Sequence, residues 1–339
     1  MIRILFLADT HLGFDYPFKP RVYRRRRGPD FFRNYEQSLQ PAYRGEVDLV
    51  VHGGDIFYRS KVPAKLVDMA FVPLKRVADK GVPVYIVPGN HERSNIPYGI
   101  LAVHPNIFIF EKPICFMKQI QDMEICLAGF PHVRYGIRER FSEILQRTGW
   151  QDTKAHVYIL CMHQSVDGAT MGPRNFMFRG GDDVVDVHAI PSKFAAVLTG
   201  HMHRHQVLEK DLKSRRIVTP VFYAGAVERT SFAEKDERKG YMIIEVKTET
   251  AGDSLQWQFH ELRTRPMVQL DFNTGGMIKT DFLLWLKDKV SRVPADSIVR
   301  IRIHGRIDAV LCRSLGVKSL SALVPQTMNV TIRIMQDSL

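Results

Sequence analysis

Eight residues that could serve a metal site, Asp9, His11, Asp55, Asn90, His91, His163, His201 and His203, fall in five short motifs, each placed just after an apolar run. In chain order the motifs are Asp9-Thr10-His11, Gly53-Gly54-Asp55, Gly89-Asn90-His91-Glu92, His163-Gln164 and Gly200-His201-Met202-His203. Oxygen and imidazole donors in that mixture suit a pair of divalent transition ions such as manganese, iron or zinc. Two ions roughly 3.5 to 4 Å apart, sharing one carboxylate, clamp the attacking and leaving oxygens of a phosphoester. A D-x-H or a G-H-x-H is a weak signal by itself. Five such motifs in order, each behind a buried-strand pattern, point to one metal-dependent site.

The elements that must position these residues are legible around them. Residues 2–8, 48–52, 82–87, 125–130, 157–162 and 195–199 are short runs rich in Val, Ile and Leu without alternation, the pattern of strands buried on both faces. Residues 63–80 carry Leu66, Met69, Ala70, Val72, Leu74 and Val77 at helical spacing, with Pro63 at the start and Gly81 at the stop. Strand, helix and strand in alternation predict an α/β sandwich. Ligands of open α/β sheets bind at the carboxyl ends of the strands, so five strand ends would deliver the eight residues to one rim. Beyond about residue 215 the pattern becomes hairpin-like, with strands at 217–223, 240–246 and 255–262. Residues 263–266 read as a linker, and the tail has a βαβαβ rhythm at 268–272, 280–293, 298–303, 309–315 and 330–334. Two domains are expected, 1–265 and 266–339.

Composition narrows the partners. With 45% hydrophobic and 25% charged residues in 339, the chain can bury a large core, which excludes disordered, collagen-like and low-complexity classes. Lys and Arg number 48 against 36 Asp and Glu, a formal charge of +12, and nucleic acid is the commonest polyanion to meet such a surplus. A merely basic surface is the alternative. Cys115, Cys126, Cys161 and Cys312 make no CxxC, so a disulfide framework is not expected and a reducing, cytoplasmic setting fits. Cys126 and Cys161 read as small core residues. No run reaches the ~18 to 20 apolar residues of a membrane helix. No G-x-x-x-x-G-K-[ST] loop is present, so any ATP dependence belongs to another protein.

The ordered set D-x-H, G-D, G-N-H-[DE], H and G-H-x-H resembles the calcineurin-like metallophosphoesterases. The stretches LADTHLG, VVHGGDIFYRSKVP, VPGNHERS, CMHQSVDGA, TGHMHRHQVL and VFYAGAVERTSFAEKDERKGYMIIEV resemble the SbcD-type nuclease subunits of DNA double-strand-break repair. The resemblance covers the first ~265 residues well and the tail loosely. It implies a sandwich of two β-sheets flanked by helices, followed by a small α/β capping domain that binds DNA. It also implies two divalent ions, manganese first, one held by Asp9, His11 and His203 and the other by Asn90, His163 and His201, with Asp55 bridging. His91 corresponds to the family's histidine that contacts the scissile phosphate. The implied activity is exonuclease and endonuclease cleavage of DNA ends, hairpins and single strands, by a homodimer working with an SbcC-type coiled-coil ATPase. Tyr58 stands where some members have a further histidine. A phosphodiesterase for small nucleotides and a DNA-end tethering module with structural metals are the competing readings; the charge and the tail argue against the first, His91 against the second.

Other residues carry two readings each. Arg24, Arg25, Arg26 and Arg27 form either a loop that grasps phosphates or a solvated basic loop. Arg300, Arg302, His304 and Arg306 alternate with apolar residues, so they line one strand face, toward DNA or toward water. Arg229 would brace the site or sit on the surface, and His205 would support the metal ligands. Leu320, Leu323 and Val324 would pack the tail's own core or dock a partner.

Overall fold

The computed structural model describes residues 1–16, 25–93, 95–97, 99, 103–249, 252–274, 279–305 and 323–335. Two compact units divide the chain, 1–14 with 28–263 and 15–27 with 264–339. In the larger unit the apolar runs form two mixed six-stranded sheets. The first has β1 (Ile2–Leu7), β2 (Leu49–His52), β3 (Val84–Ile86) and β4 (Ile107–Ile109) in parallel. The second is built on β6 (Met123–Gly129), β7 (Val157–Met162), β12 (Ala196–Thr199) and β14 (Arg216–Tyr223), parallel in the order 14-12-7-6. Antiparallel strands finish both sheets. β15 (Gly240–Glu249) and β16 (Gly252–Glu261) extend the β1 side of the first sheet. In the second, β5 (Ile114–Ile120) lies beside β6 and β13 (Gln206–Lys210) beside β14. Two short pairs sit in the segment after β7: β8 (Ser165–Val166) with β11 (Val184–Val185), and the hairpin β9 (Thr170–Met171) with β10 (Phe176–Met177).

The sheets pack face to face. Ile4, Phe6, Leu49, Val51 and Tyr85 of the first meet Ile125, Leu127, Ile159, Leu198 and Phe222 of the second in one fully buried core. Helices cover the outer faces. α1 (Gly28–Ser38), followed by the short α2 (Gln40–Tyr43), packs beside α3 (Ala64–Asp79), with the Tyr35 hydroxyl donating to the Ala70 carbonyl at 3.0 Å. α4 (Ile137–Gln146) buries Ile137, Phe141, Ile144 and Leu145 against the second sheet. Helix α3 presents Leu66, Val67, Ala70, Phe71, Leu74 and Val77 to the core, whereas Met69 is half-buried and Val72 exposed. The sequence stripe therefore had the right helix with a slightly rotated face. α1 and β5 carry no clean apolar signature in the sequence. α1 buries polar Asp30, Asn34 and Ser38 beside Phe31 and Tyr35, and β5 is mostly half-buried.

The smaller unit has a parallel three-stranded sheet, β17 (Met267–Asn273), β18 (Ile298–His304) and β19 (Asn329–Met335). Helix α5 (Lys279–Ser291) covers one face with Phe282 and Leu286 on Phe272, Val299, Ile301 and Ile303. Leu323 and Val324 pack against this core; Leu320, Arg306 and the helix expected at 309–315 lie outside the described residues. Period-two alternation puts Arg300, Arg302 and His304 on the opposite face, where Arg302 Nε and His304 Nε2 meet Asp271 at 2.6 and 3.0 Å. The basic stripe is thus partly neutralised by its own sheet. Arg24 lies outside the described residues. Arg26 pairs with Asp15 at 2.8 Å, the Arg27 amide donates to the same carboxylate, and the Arg25 carbonyl accepts from Asn329.

Candidate metal centre

Each functional side chain sits within five residues of the end of a buried strand, in the loop that leaves the sheet. Asp9, His11, Asp55 and His201 all take positive φ, at 51°, 44°, 51° and 83°. Such angles are sparsely populated for residues with a Cβ and persist only where surrounding bonds hold them. Here the loop after β1 runs alongside the loop after β2. Asp9 N donates to Gly54 O, His11 N to Asp55 O and Leu12 N to Ile56 O at 2.9, 3.0 and 2.7 Å. Gly54, at φ +100°, has no room for a Cβ, because the His163 imidazole occupies that space. Gly89 has none because the Asp55 carboxylate does.

The structure brings the eight sequence-predicted residues together, and their donor atoms converge. His163 Nδ1 lies 2.7 Å from the Gly53 carbonyl, which only accepts, so the proton is on Nδ1. Its Nε2 lone pair then faces Asn90 Oδ1 at 3.0 Å and Asp55 Oδ1 at 3.5 Å. His201 Nδ1 approaches the same Asn90 oxygen at 2.9 Å. His11 Nε2 and His203 Nε2 are 2.8 Å apart, and Asp9, His11 and His203 form one cluster of candidate ligands. Asp55 belongs to two more, with His11 and His91 on one side and with Asp9 and His163 on the other. Asp9 Oδ2 and His11 Nδ1 are buried without a hydrogen-bond partner. Burial drives His163 and His201 down to about 3 and holds His11 well below its ordinary value, so these rings are neutral ligands in waiting. Burial, opposed by the charge of His203, also lifts Asp9 to about 7. At His163 the Nε2 lone pair faces two oxygens in a buried space, an arrangement that repels unless a cation lies between them. The residues present therefore fit divalent ions.

His91 is set differently. Its Nδ1 donates to the Tyr58 carbonyl at 2.8 Å and its amide donates to Asp55 Oδ1 at 2.9 Å. This leaves Nε2 turned inward, 3.8 Å from Asp55 Oδ2. A cavity of about 540 Å³ lined by Tyr58, Arg59, Lys61, Asn90, His91 and Arg93 opens here. A second, of about 800 Å³, is lined by Asn90, Arg93, His132, Arg134, Asp183 and His201. Both are rimmed by guanidinium groups that sequence reasoning did not single out.

The supporting shell was also missed. Glu92 is buried and accepts the backbone amides of Asp55, Phe57 and Gly89 at 3.1, 2.8 and 2.8 Å, tying two strand-end loops together. Burial and the Asp55 charge push it up to about 8 against the pull of those amides. Its signal was its place in Gly89-Asn90-His91-Glu92. Glu234 accepts from His203 Nδ1 at 3.3 Å and pairs with the buried ammonium of Lys239 at 2.7 Å. Burial alone would raise its carboxyl, but His203 and Lys239 hold it well below the usual range. His132 Nδ1 donates to the His163 carbonyl at 2.8 Å while its ring stacks on His201. Arg229 donates to the Glu237 carbonyl at 2.9 Å and so braces the loop that carries Glu234. His205 instead stacks on Phe259 at 3.9 Å and donates to the Tyr223 carbonyl, a packing role.

A DNA double-strand break repair protein Mre11 from Sulfurisphaera tokodaii is 27% identical over 214 residues, covering 62% of this chain and 51% of that one. A protein of the same name from Methanosarcina acetivorans is 26% identical over 316 residues, 91% of this chain and 47% of that one. The chain thus spans about half the length of these curated relatives. A dimetal phosphatase from Danio rerio is 12% identical, with 72% of this chain and 92% of that one aligned at a TM-score of 0.44. Residues 2–205 match the calcineurin-like phosphoesterase family, and they contain every one of the converging ligand atoms: the chain is a member of that family.

Proposed function

We propose that this chain is a two-metal phosphodiesterase that cuts DNA during double-strand-break repair. The observation that carries the reading is the convergence of imidazoles, an amide oxygen and two buried carboxylates from five strand ends. Asp9, His11 and His203 would hold one ion, Asn90, His163 and His201 the other, with Asp55 between them; manganese is the first ion to try. Bound there, the ions would supply Lewis-acid charge for the phosphoryl oxygens and for an attacking water. The chain's own residues do the rest. Asp55 and Glu92 fix the spacing of two loops, and Glu234 orients His203 through Nδ1. His91, with Nδ1 held by the Tyr58 carbonyl, presents Nε2 inward, and its imidazolium form would donate a proton from Nε2 to the departing oxygen. The formal +12 charge and the guanidinium rim favour a polyanionic substrate. The relatives' printed role supports DNA repair, and residues 266–339 would act as the capping, DNA-binding domain. A coiled-coil ATPase partner and a homodimer complete the reading. The test is a gel assay with labelled duplex and hairpin DNA, with manganese and with chelator. Cleavage with manganese alone is expected. Turnover of bis-p-nitrophenyl phosphate without any cut DNA would turn the reading toward a small-molecule phosphodiesterase.

A further inference from the structure

The β9–β10 hairpin has two residues in each strand, too few to be rigid unaided. It is held by the residues that follow His203. The Arg204 guanidinium donates to Asn175 Oδ1 and to the Gly172 carbonyl, both at 2.7 Å, and is itself fixed by Glu237 at 3.1 Å. Gln206 accepts the Thr170 amide at 2.8 Å and donates to the Thr170 carbonyl at 2.9 Å. The clamp presents an apolar shelf to solvent: Phe176 is 61% exposed, and Met171, its cross-strand partner, 47%. Phe178 supports the Phe176 ring edge-on at 5.3 Å. Arg174 in the turn and Arg179 just beyond β10 are both exposed.

We propose that this hairpin binds an unpaired stretch of the DNA strand, with a base stacked on Phe176 and phosphates on Arg174 and Arg179. The inference rests on the reading that the neighbouring centre cleaves nucleic acid. A flat ring flanked by cations matches a nucleobase flanked by phosphates, and stacking tolerates any base because every base has a π-face. An apolar protein groove would leave the two guanidinium groups without counter-charge. Bases inside a duplex have both faces covered by their neighbours, so the ring selects unpaired ones. Rigid anchorage beside His203 keeps the ordering entropy of the hairpin out of the binding step.

The test is fluorescence anisotropy of a labelled single-stranded oligonucleotide with the full chain, in chelator, over a range of salt. Phe176→Ala should weaken binding roughly tenfold, the scale of one lost base stack, without changing the slope of log affinity against log salt. Phe176→Trp should restore it. Arg174→Ala with Arg179→Ala should flatten that slope by up to ~1.4, at ~0.7 per single-strand phosphate contact. A blunt, fully paired duplex should respond to Phe176→Ala by less than about twofold. Native-level binding of the single strand by Phe176→Ala would overturn the proposal, as would equal weakening for single strand and duplex. A defect confined to capture of a protein partner would assign the shelf to that partner and overturn it too. Native chain that binds the single strand through Phe176 but never cuts it in manganese would sink the nuclease reading and leave the hairpin assignment standing.

Discussion

Asp55 is the residue whose loss should be felt most widely, because it stands in two of the three ligand clusters and receives the His91 amide as well. Asp55→Asn removes the one charge placed between the two sets of donors. It should lower manganese stoichiometry, measured by equilibrium dialysis, and bring phosphodiester cleavage below a tenth of the native rate. His91 has its Nδ1 committed to a carbonyl and its Nε2 facing Asp55. His91→Asn should retain two manganese equivalents and lose roughly 10²-fold in turnover, the range expected of a general acid. Loss of a metal equivalent in that variant would instead make His91 a ligand. His52 gives a pH signature away from the ligands. The Thr10 hydroxyl donates to the Ile56 carbonyl, so His52 Nε2 must donate to that hydroxyl, and Nδ1 accepts the Gly54 amide at 3.2 Å. Burial pushes His52 down to about 3, so the folded chain excludes a proton that the unfolded chain takes up near pH 6.5. The stability this contributes is whole above pH 6.5 and drains away as pH falls toward 3. In chelator, His52→Gln should therefore lose about 2 kcal/mol less than the native chain between pH 6.5 and 5, read from urea midpoints.

At the scale of elements, the site is a set of loops stitched to one another rather than to their own strands. Glu92 is the main stitch, since three backbone amides from the loops after β2 and β3 end on one carboxylate. Glu92→Ala leaves three buried donors without an acceptor and should destabilise the chain by about 3 kcal/mol or more, with manganese affinity falling alongside. Glu92→Gln keeps an acceptor and should fall between. An unchanged thermal midpoint in Glu92→Ala would mean that water replaces the carboxylate at no loss. Lys239 and Glu234 do the same for the loop after β14, placing a buried ion pair behind His203.

For the whole molecule, the +12 charge predicts DNA binding that weakens steeply with salt, but the cations are not equivalent. Arg302 already meets Asp271 at 2.6 Å. Arg302→Gln should shift the slope of log affinity against log salt by well under the ~0.9 that a full duplex phosphate contact carries. A shift of a full ~0.9 would show that DNA displaces the aspartate. Much of the candidate site is legible in the sequence. Asp9, His11, Asp55, Asn90, His91, His163, His201 and His203 each follow an apolar run, and both the run and the turn after it are local properties of the chain. The buried strands were legible for the same reason, while α1 was not, because it buries Asp30, Asn34 and Ser38 together with its aromatics. What the sequence could not contain was which atoms meet. His11 and His203 are 192 positions apart and His201 and Asn90 111 apart, and only the packing of two sheets sets those distances. The proton positions on His163 and His52, the Glu92 and Glu234 supports and the neutralised Arg302 are likewise decided by tertiary neighbours. Strand and turn patterns arise from the residues beside them in the chain, whereas hydrogen-bond partners and charge compensation arise from whatever the fold brings within 3 to 4 Å.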